Sequence, residues 1–201
     1  MTSASFEWPF SHLASGLYHP AMDSLVSPRA ARLASGLPHI DTLRDPARLQ
    51  RLRRLVKAAE GSAVLGALVD LAARITGTAA AQLSLLADQE VAISIRSVGA
   101  PVVPRTLDLQ DSLCSITALS GDVLVAAEAR RHPWLADLLP VSGGAIGAYL
   151  GAPLALPDGT MLGALCVWEP AERSWSERDV GLTCAVADVV ALELQRLAGT
   201  S

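Results

Sequence analysis

The chain has 201 residues, of which 51% are apolar and only 4% aromatic, and a formal charge of −4 from 16 basic and 20 acidic side chains. That is enough for one ordinary domain with some extra, or for two small ones, and the acidic balance excludes the basic footprint that nucleic-acid phosphates demand. No apolar run approaches the ~20 residues of a membrane helix, and the amino-terminal stretch lacks the basic-then-apolar order of a secretory leader.

Residues 1–44 stand apart. They carry Phe6, Trp8, Phe10, His12, Tyr18, His19 and His39 among Ser, Pro and Gly, with a short echo, LASGL, at Leu13 and Leu33. Two copies are too few for a repeat architecture. The expectation is an amino-terminal extension that docks on the main domain or serves a partner, followed by one domain over residues 45–198.

Asp45-Pro46 opens a helix with an acidic cap and a proline at its first position, and Leu49, Leu52, Leu55 and Val56 recur at helical spacing. The basic cluster Arg48, Arg51, Arg53, Arg54 and Lys57 on this segment reads as a solvated helix face. Glu60-Gly61-Ser62 interrupts it. A second helix then places Val64, Leu65, Leu68, Leu71, Ala72 and Ile75 on its apolar side, and Gly77 is suited to end it.

A hairpin follows. Leu83 and Leu85 alternate with Gln82 and Ser84, and Val91, Ile93 and Ile95 alternate with Ala92, Ser94 and Arg96, the second run starting from a polar turn around Asp88. Leu and Ile are expected to face helices, leaving Gln82, Ser84, Ser94 and Arg96 on the other face. The Pro-Val-Val-Pro stretch reads as loop between Gly99 and Leu109. Asp111-Ser112 starts a helix that Ser120-Gly121 stops, Val123 to Ala127 is a short strand, and a short helix carries Trp134, Leu135, Leu138 and Leu139 up to Pro140.

Ala145 to Glu169 is the longest uncharged stretch of strand character. It folds back on itself at Pro157-Asp158-Gly159-Thr160, where Pro presets φ and Gly accepts a positive one. Gly151 and Gly163 interrupt its two strands and mark a bulge or the close approach of another group, a packed helix in preference to a ligand. Ser176 caps the last helix with Asp179 three residues on, and Val180, Cys184, Ala187, Val190, Ala191, Leu194 and Leu197 form its wide apolar face. The fold class is α+β: a central antiparallel sheet, first and last helices on one face, short helices and loops over a pocket on the other.

The ordered set Tyr149, Gly151, Pro153-Leu154, Gly159 and Leu162-Gly163-Ala164-Leu165-Cys166-Val167, with LVAAEARRHPWL before it and RSWSERDVGL after it, resembles the GAF domain family over residues 45 to 198. The resemblance implies a cytoplasmic sensory or regulatory module, a small-molecule pocket under the middle loops, a homodimer through the terminal helices, and a signalling partner protein. No metal, nucleic acid or membrane partner is expected. The pocket residues expected on this basis are Gln82, Ser84, Ser94, Cys114, Trp134 and Tyr149, with the ligand itself unspecified.

Cys114 falls in the first turn of its helix, where the dipole favours a thiolate, and it matches roughly one cysteine of the family's free methionine sulfoxide reductases. That makes a thiol-dependent enzyme the alternative to a non-catalytic module. Their second cysteine has no counterpart near Trp134, and Cys166 and Cys184 sit on core elements, so no resolving thiol is expected in reach. A bilin is disfavoured because Ser115, not His, follows Cys114. A cyclic-nucleotide signature is missing, since the chain has no Asn. Haem is disfavoured because His132 is the one histidine of the matched region. The scattered Cys and His residues give no zinc pattern.

Overall fold

The structure, a computed structural model, describes residues 40–199 apart from residue 102. The expectations for the aromatic amino-terminal stretch therefore lie outside the described residues, save for a short 3-10 turn, Ile40–Arg44, whose Leu43 is buried.

Local chemistry sets the helix ends. The Asp45 carboxylate accepts from the Arg48 amide at 2.8 Å and Pro46 opens α1 (Pro46–Ala59). Ser62 caps α2 (Ala63–Thr76), and Gly77 closes it in the left-handed conformation at φ 63°. The interruption at Glu60-Gly61-Ser62 is a full break between two helices. Ser112 caps α3 (Leu113–Ser120) by accepting from Ser115. Ser176 and Asp179 exchange bonds at the start of α5 (Glu177–Gly199), each side chain accepting from the other's amide, the reciprocal arrangement expected from the sequence.

Six strands, β1 (Ala80–Leu86), β2 (Glu90–Ser97), β3 (Thr106–Leu107), β4 (Leu124–Ala126), β5 (Ala148–Ala155) and β6 (Met161–Glu169), form one antiparallel sheet in the order β3-β2-β1-β6-β5-β4. Side chains alternate between two cores. Leu83, Leu85, Leu150, Leu154, Leu165 and Val167 face the layer made by α1, α2 and α5. Leu86, Tyr149, Ala164, Cys166 and Trp168 face the opposite side, which α3 and the segments around Leu135 and Ile146 cover. Because the β5–β6 hairpin is covered on both faces, it is apolar nearly throughout. Its turn closes at Gly159, φ 81°. At Gly163 a Cβ would lie 1.9 Å from the Ser84 carbonyl oxygen, so the close neighbour is strand backbone.

Five expectations are corrected. The apolar side of α2 is rotated: Leu65, Val69, Ala72 and Ala73 are buried, whereas Val64 and Leu71 are exposed. Arg48 does not belong to the solvated face. It is buried, it donates to the Leu43 and Met161 carbonyls, and burial lowers its pKa to about 10; Arg51 and Arg53 do stay at the surface, paired with Asp158 and Asp88. The segment from Pro133 to Leu138 is a run of turns, and Pro140 stands in the first turn of α4 (Leu139–Ser142) instead of ending a helix. A proline lacks the amide that an interior turn needs and is tolerated at a first one. A two-residue strand, β3, interrupts the loop expected before Leu109 and pairs with the start of β2.

The fifth correction concerns β2. Its register with β1 shifts between Leu83 and Ser84, so Ser84 pairs with Ala92 while Leu83 pairs with Ser94, leaving Ile93 as an extra residue. Such a bulge reverses the facing of everything beyond it. Ile93 joins the helix-side core and Ile95 the opposite one. Ser94 therefore points at α2, where its hydroxyl lies 3.9 Å from the position a Cβ on Gly66 would take, and Arg96 reaches Asp70 of α2 at 3.5 Å.

Candidate functional site

The face of the sheet away from the terminal helices holds a buried polar group that the apolar strands around it do not explain. Gln82 and Ser84, two residues apart on β1, point the same way, and Glu90 at the start of β2 points toward them. The Gln82 amide nitrogen donates to Ser84 Oγ at 2.7 Å and to Glu90 Oε1 at 2.7 Å, and the Ser84 hydroxyl donates to Glu90 Oε1 at 2.6 Å. All three are buried, Glu90 at 3% exposure. Both donors to the carboxylate are neutral.

α3 lies over this cluster. It turns Cys114 onto the sheet, where Cys114 Sγ is 3.8 Å from Cys166 Sγ of β6. One turn on, Thr117 Oγ1 is 2.9 Å from the Tyr149 hydroxyl of β5, which also approaches Cys114 Sγ at 3.9 Å. Gly151 makes this possible. A Cβ there would come within 2.5 Å of the Tyr149 hydroxyl and 2.8 Å of Thr117 Oγ1, so the phenol lies along the strand in space that a side chain would take. Between these groups is a cavity of about 20 Å³ walled by Gln82, Glu90, Cys114, Tyr149, Cys166 and Trp168, with Val103, Leu107, Leu113, Pro140 and Ile146 completing it. None of its walls is cationic. Gln82 Oε1 and Trp168 Nε1 are buried without a hydrogen-bond partner among the described residues. A wider surface groove of about 490 Å³ beside Leu43, Leu119 and Met161 also includes Asp45 and the buried Arg48 in its lining.

The electrostatics oppose thiolate formation. The Cys114 thiol is pushed well above its ordinary pKa by its hydrogen bond with Cys166, by burial and by the nearby Glu90 charge, with the Ser84 hydroxyl pulling weakly the other way. The helix dipole expected to favour the thiolate is outweighed, because α3 is buried from Leu113 to Leu119 and a buried charge is costly. Burial, with Cys114 and Cys166 beside it, raises the Tyr149 phenol too.

Of the six residues expected at the pocket, Gln82, Ser84, Cys114 and Tyr149 come together. Ser84 stands behind the wall, bonded to Glu90. Ser94 faces the helices instead, for the reason given by the bulge. Trp134 is partly exposed and packs edge-on to His132, 5.6 Å between ring centres, outside the cavity wall. The Trp134 amide donates to His132 Nδ1 at 3.3 Å, and burial lowers the His132 pKa to about 4. The expectation that no second thiol is in reach of Cys114 is also corrected. Cys166 is on a core strand, but on the side that faces Cys114.

Three residues were missed: Glu90, Cys166 and Trp168. Cys166 and Trp168 stand two-residue steps from Ala164 on one face of β6, but that strand is buried on both faces and its sequence does not mark which face is which. Glu90 stands next to the polar turn around Asp88, yet it is in phase with Ala92 and pairs with Leu86. Among the described residues no helix is long and apolar enough to cross a membrane, and no group of three or more Cys, His, Asp or Glu is placed to hold a metal ion.

The chain is 34% identical over 99 residues to a cyclic di-GMP phosphodiesterase of Pseudomonas aeruginosa, an alignment covering 48% of this chain and spanning 17% of that relative's length. Its fold is similar to free methionine-R-sulfoxide reductase of Neisseria meningitidis, solved with its substrate: TM-score 0.58, 17% identity, 90% of this chain and 99% of that one. It is also similar to the GAF domain of an Acinetobacter phosphoenolpyruvate-protein phosphotransferase, with TM-score 0.56, 15% identity, and 78% and 98% covered. The family model described as GAF domain matches residues 48–194, most of the chain and all six strands, and the chain belongs to the GAF domain family.

Proposed function

We propose that this chain is a non-catalytic sensory or regulatory module of the cytoplasm, which binds a small molecule on the sheet face under α3 and pairs with a second copy through its terminal helices. The observation that carries the ligand site is the pair of orphaned buried atoms, Gln82 Oε1 and Trp168 Nε1, at the wall of a cavity that also holds the Glu90 carboxylate. Buried polar atoms are nearly always satisfied, and exceptions ask for an occupant. About 20 Å³ is far below the ~300 Å³ or more of an ordinary ligand pocket, so a metabolite enters only as the wall moves. The dimer is supported by Val64 and Leu71 on α2 and Val189 and Leu192 on α5, all exposed on adjoining helices, with Leu192 at 66%. Native mass spectrometry of the full chain tests both parts together. A dimer that Leu192→Glu converts to monomer, and a retained small molecule, are expected. A monomer that retains nothing removes the proposal.

One observation favours a second reading, a thiol-dependent reductase like the methionine sulfoxide enzymes: Cys114 has a neighbouring thiol at 3.8 Å. Thiol-dependent consumption of free methionine sulfoxide, abolished in Cys114→Ser and reduced in Cys166→Ser, is its expected result. The absence of turnover in the parent chain rejects it.

A further inference from the structure

The two thiols and the two orphaned polar atoms are not separate curiosities, because they line the same space. About 20 Å³ exceeds the roughly 10–15 Å³ that a single water needs and suits a molecule of two heavy atoms. Its walls offer one unpaired donor, the Trp168 indole N–H, and one unpaired acceptor, Gln82 Oε1. A small hydroxylic molecule satisfies both. Two sulfurs 3.8 Å apart stand beside it. We propose that the cavity is a reaction site for hydrogen peroxide, which converts Cys114 and Cys166 to a disulfide joining α3 to β6.

The step balances in two parts. Cys114 Sγ attacks one peroxide oxygen, the O–O bond breaks, and the departing oxygen leaves as water, so the sulfur is oxidised to a sulfenic acid. Cys166 Sγ then attacks the Cys114 sulfur, the S–O bond breaks, and the hydroxyl leaves as a second water with the Cys166 proton. Two thiols and one peroxide give one disulfide and two waters. The proton of Cys114 goes to the departing oxygen and completes the first water. Closing the sulfurs from 3.8 Å to the ~2.05 Å of a disulfide requires α3 and the central strand to draw together, so the oxidised and reduced forms differ in the wall of the cavity.

Burial makes the site selective by size. Both thiols are 3% exposed, so a bulky oxidant cannot align with either sulfur. The raised Cys114 pKa sets the rate, with little thiolate at neutral pH and faster oxidation as pH rises. The inference goes beyond both functional readings, for it needs neither turnover nor a regulatory ligand.

The experiment treats the full chain, reduced, with hydrogen peroxide or with glutathione disulfide, then maps thiols by mass spectrometry under native alkylation. Peroxide is expected to remove two hydrogens and link Cys114 to Cys166, reversibly by dithiothreitol, while glutathione disulfide leaves that pair reduced. Cys166→Ser is expected to stop at an oxygenated Cys114. A peroxide-treated chain with both thiols intact, a disulfide through Cys184, or equal oxidation by the bulky reagent each overturns the proposal. The mapping on the unsubstituted chain decides it even where a variant fails to fold. Loss of methionine sulfoxide turnover alone leaves it standing.

Discussion

Gly163→Ala should cost about 3 kcal/mol or more, measured as a fall in urea midpoint at unchanged slope. The added methyl would sit 1.9 Å from the Ser84 carbonyl oxygen and 2.9 Å from its carbon. These are backbone atoms of the neighbouring central strand, so no rotamer change relieves the contact. The strands must part where β1 is hydrogen-bonded to β6, and both cores feel it because the sheet is covered on both faces. Gly181→Ala on α5 is the contrast. Nothing lies within 4 Å of its added Cβ, and a helical glycine replaced by alanine is expected to gain up to about 1 kcal/mol. Equal midpoints for the two variants would show that β1 and β6 do not approach as described.

Glu90→Ala should cost about 2–4 kcal/mol, although it removes a charge from a core. The carboxylate accepts from Gln82 and Ser84, and its loss leaves two buried donors with nothing to bond, at about 1–3 kcal/mol each. The asymmetry gives a control. Replacing all three polar groups together, Gln82→Leu, Ser84→Ala and Glu90→Leu, removes donors and acceptor alike and is expected within about 1 kcal/mol of the parent. A single variant as stable as the parent would mean that Glu90 is solvated and the cluster is open to water.

Elements whose cues are local were readable from the residues. The Asp45 and Ser176 caps, the Gly159 turn and the break at Gly61 each depend on three or four neighbouring residues, and each stands where those residues place it. The apolar side of α2 was harder, because Val64 and Leu71 are as hydrophobic as Leu65 and Val69, and only packing against α5 and the sheet decides which pair is covered. The site was half legible. Gln82, Ser84, Cys114 and Tyr149 announce themselves as polar or reactive residues in apolar runs. Cys166 and Trp168 do not, since an apolar strand buried on both faces gives no contrast from which to read their side. Ser94 was placed on the wrong face because no residue type in Val91-Ala92-Ile93-Ser94-Ile95 marks the bulge.

That bulge bears on how residues are matched between this chain and its relatives. At identities of 15–17% to the similar folds, aligning β2 without a gap at Ile93 to a strand that lacks the bulge would pair cavity positions on one protein with helix-facing positions on the other. Glu90 and Ala92 lie before the bulge and Ile95 beyond it, so their equivalents must be taken from separate sides of a one-residue offset. Any transfer of binding residues onto this strand has to be made from superposed backbones.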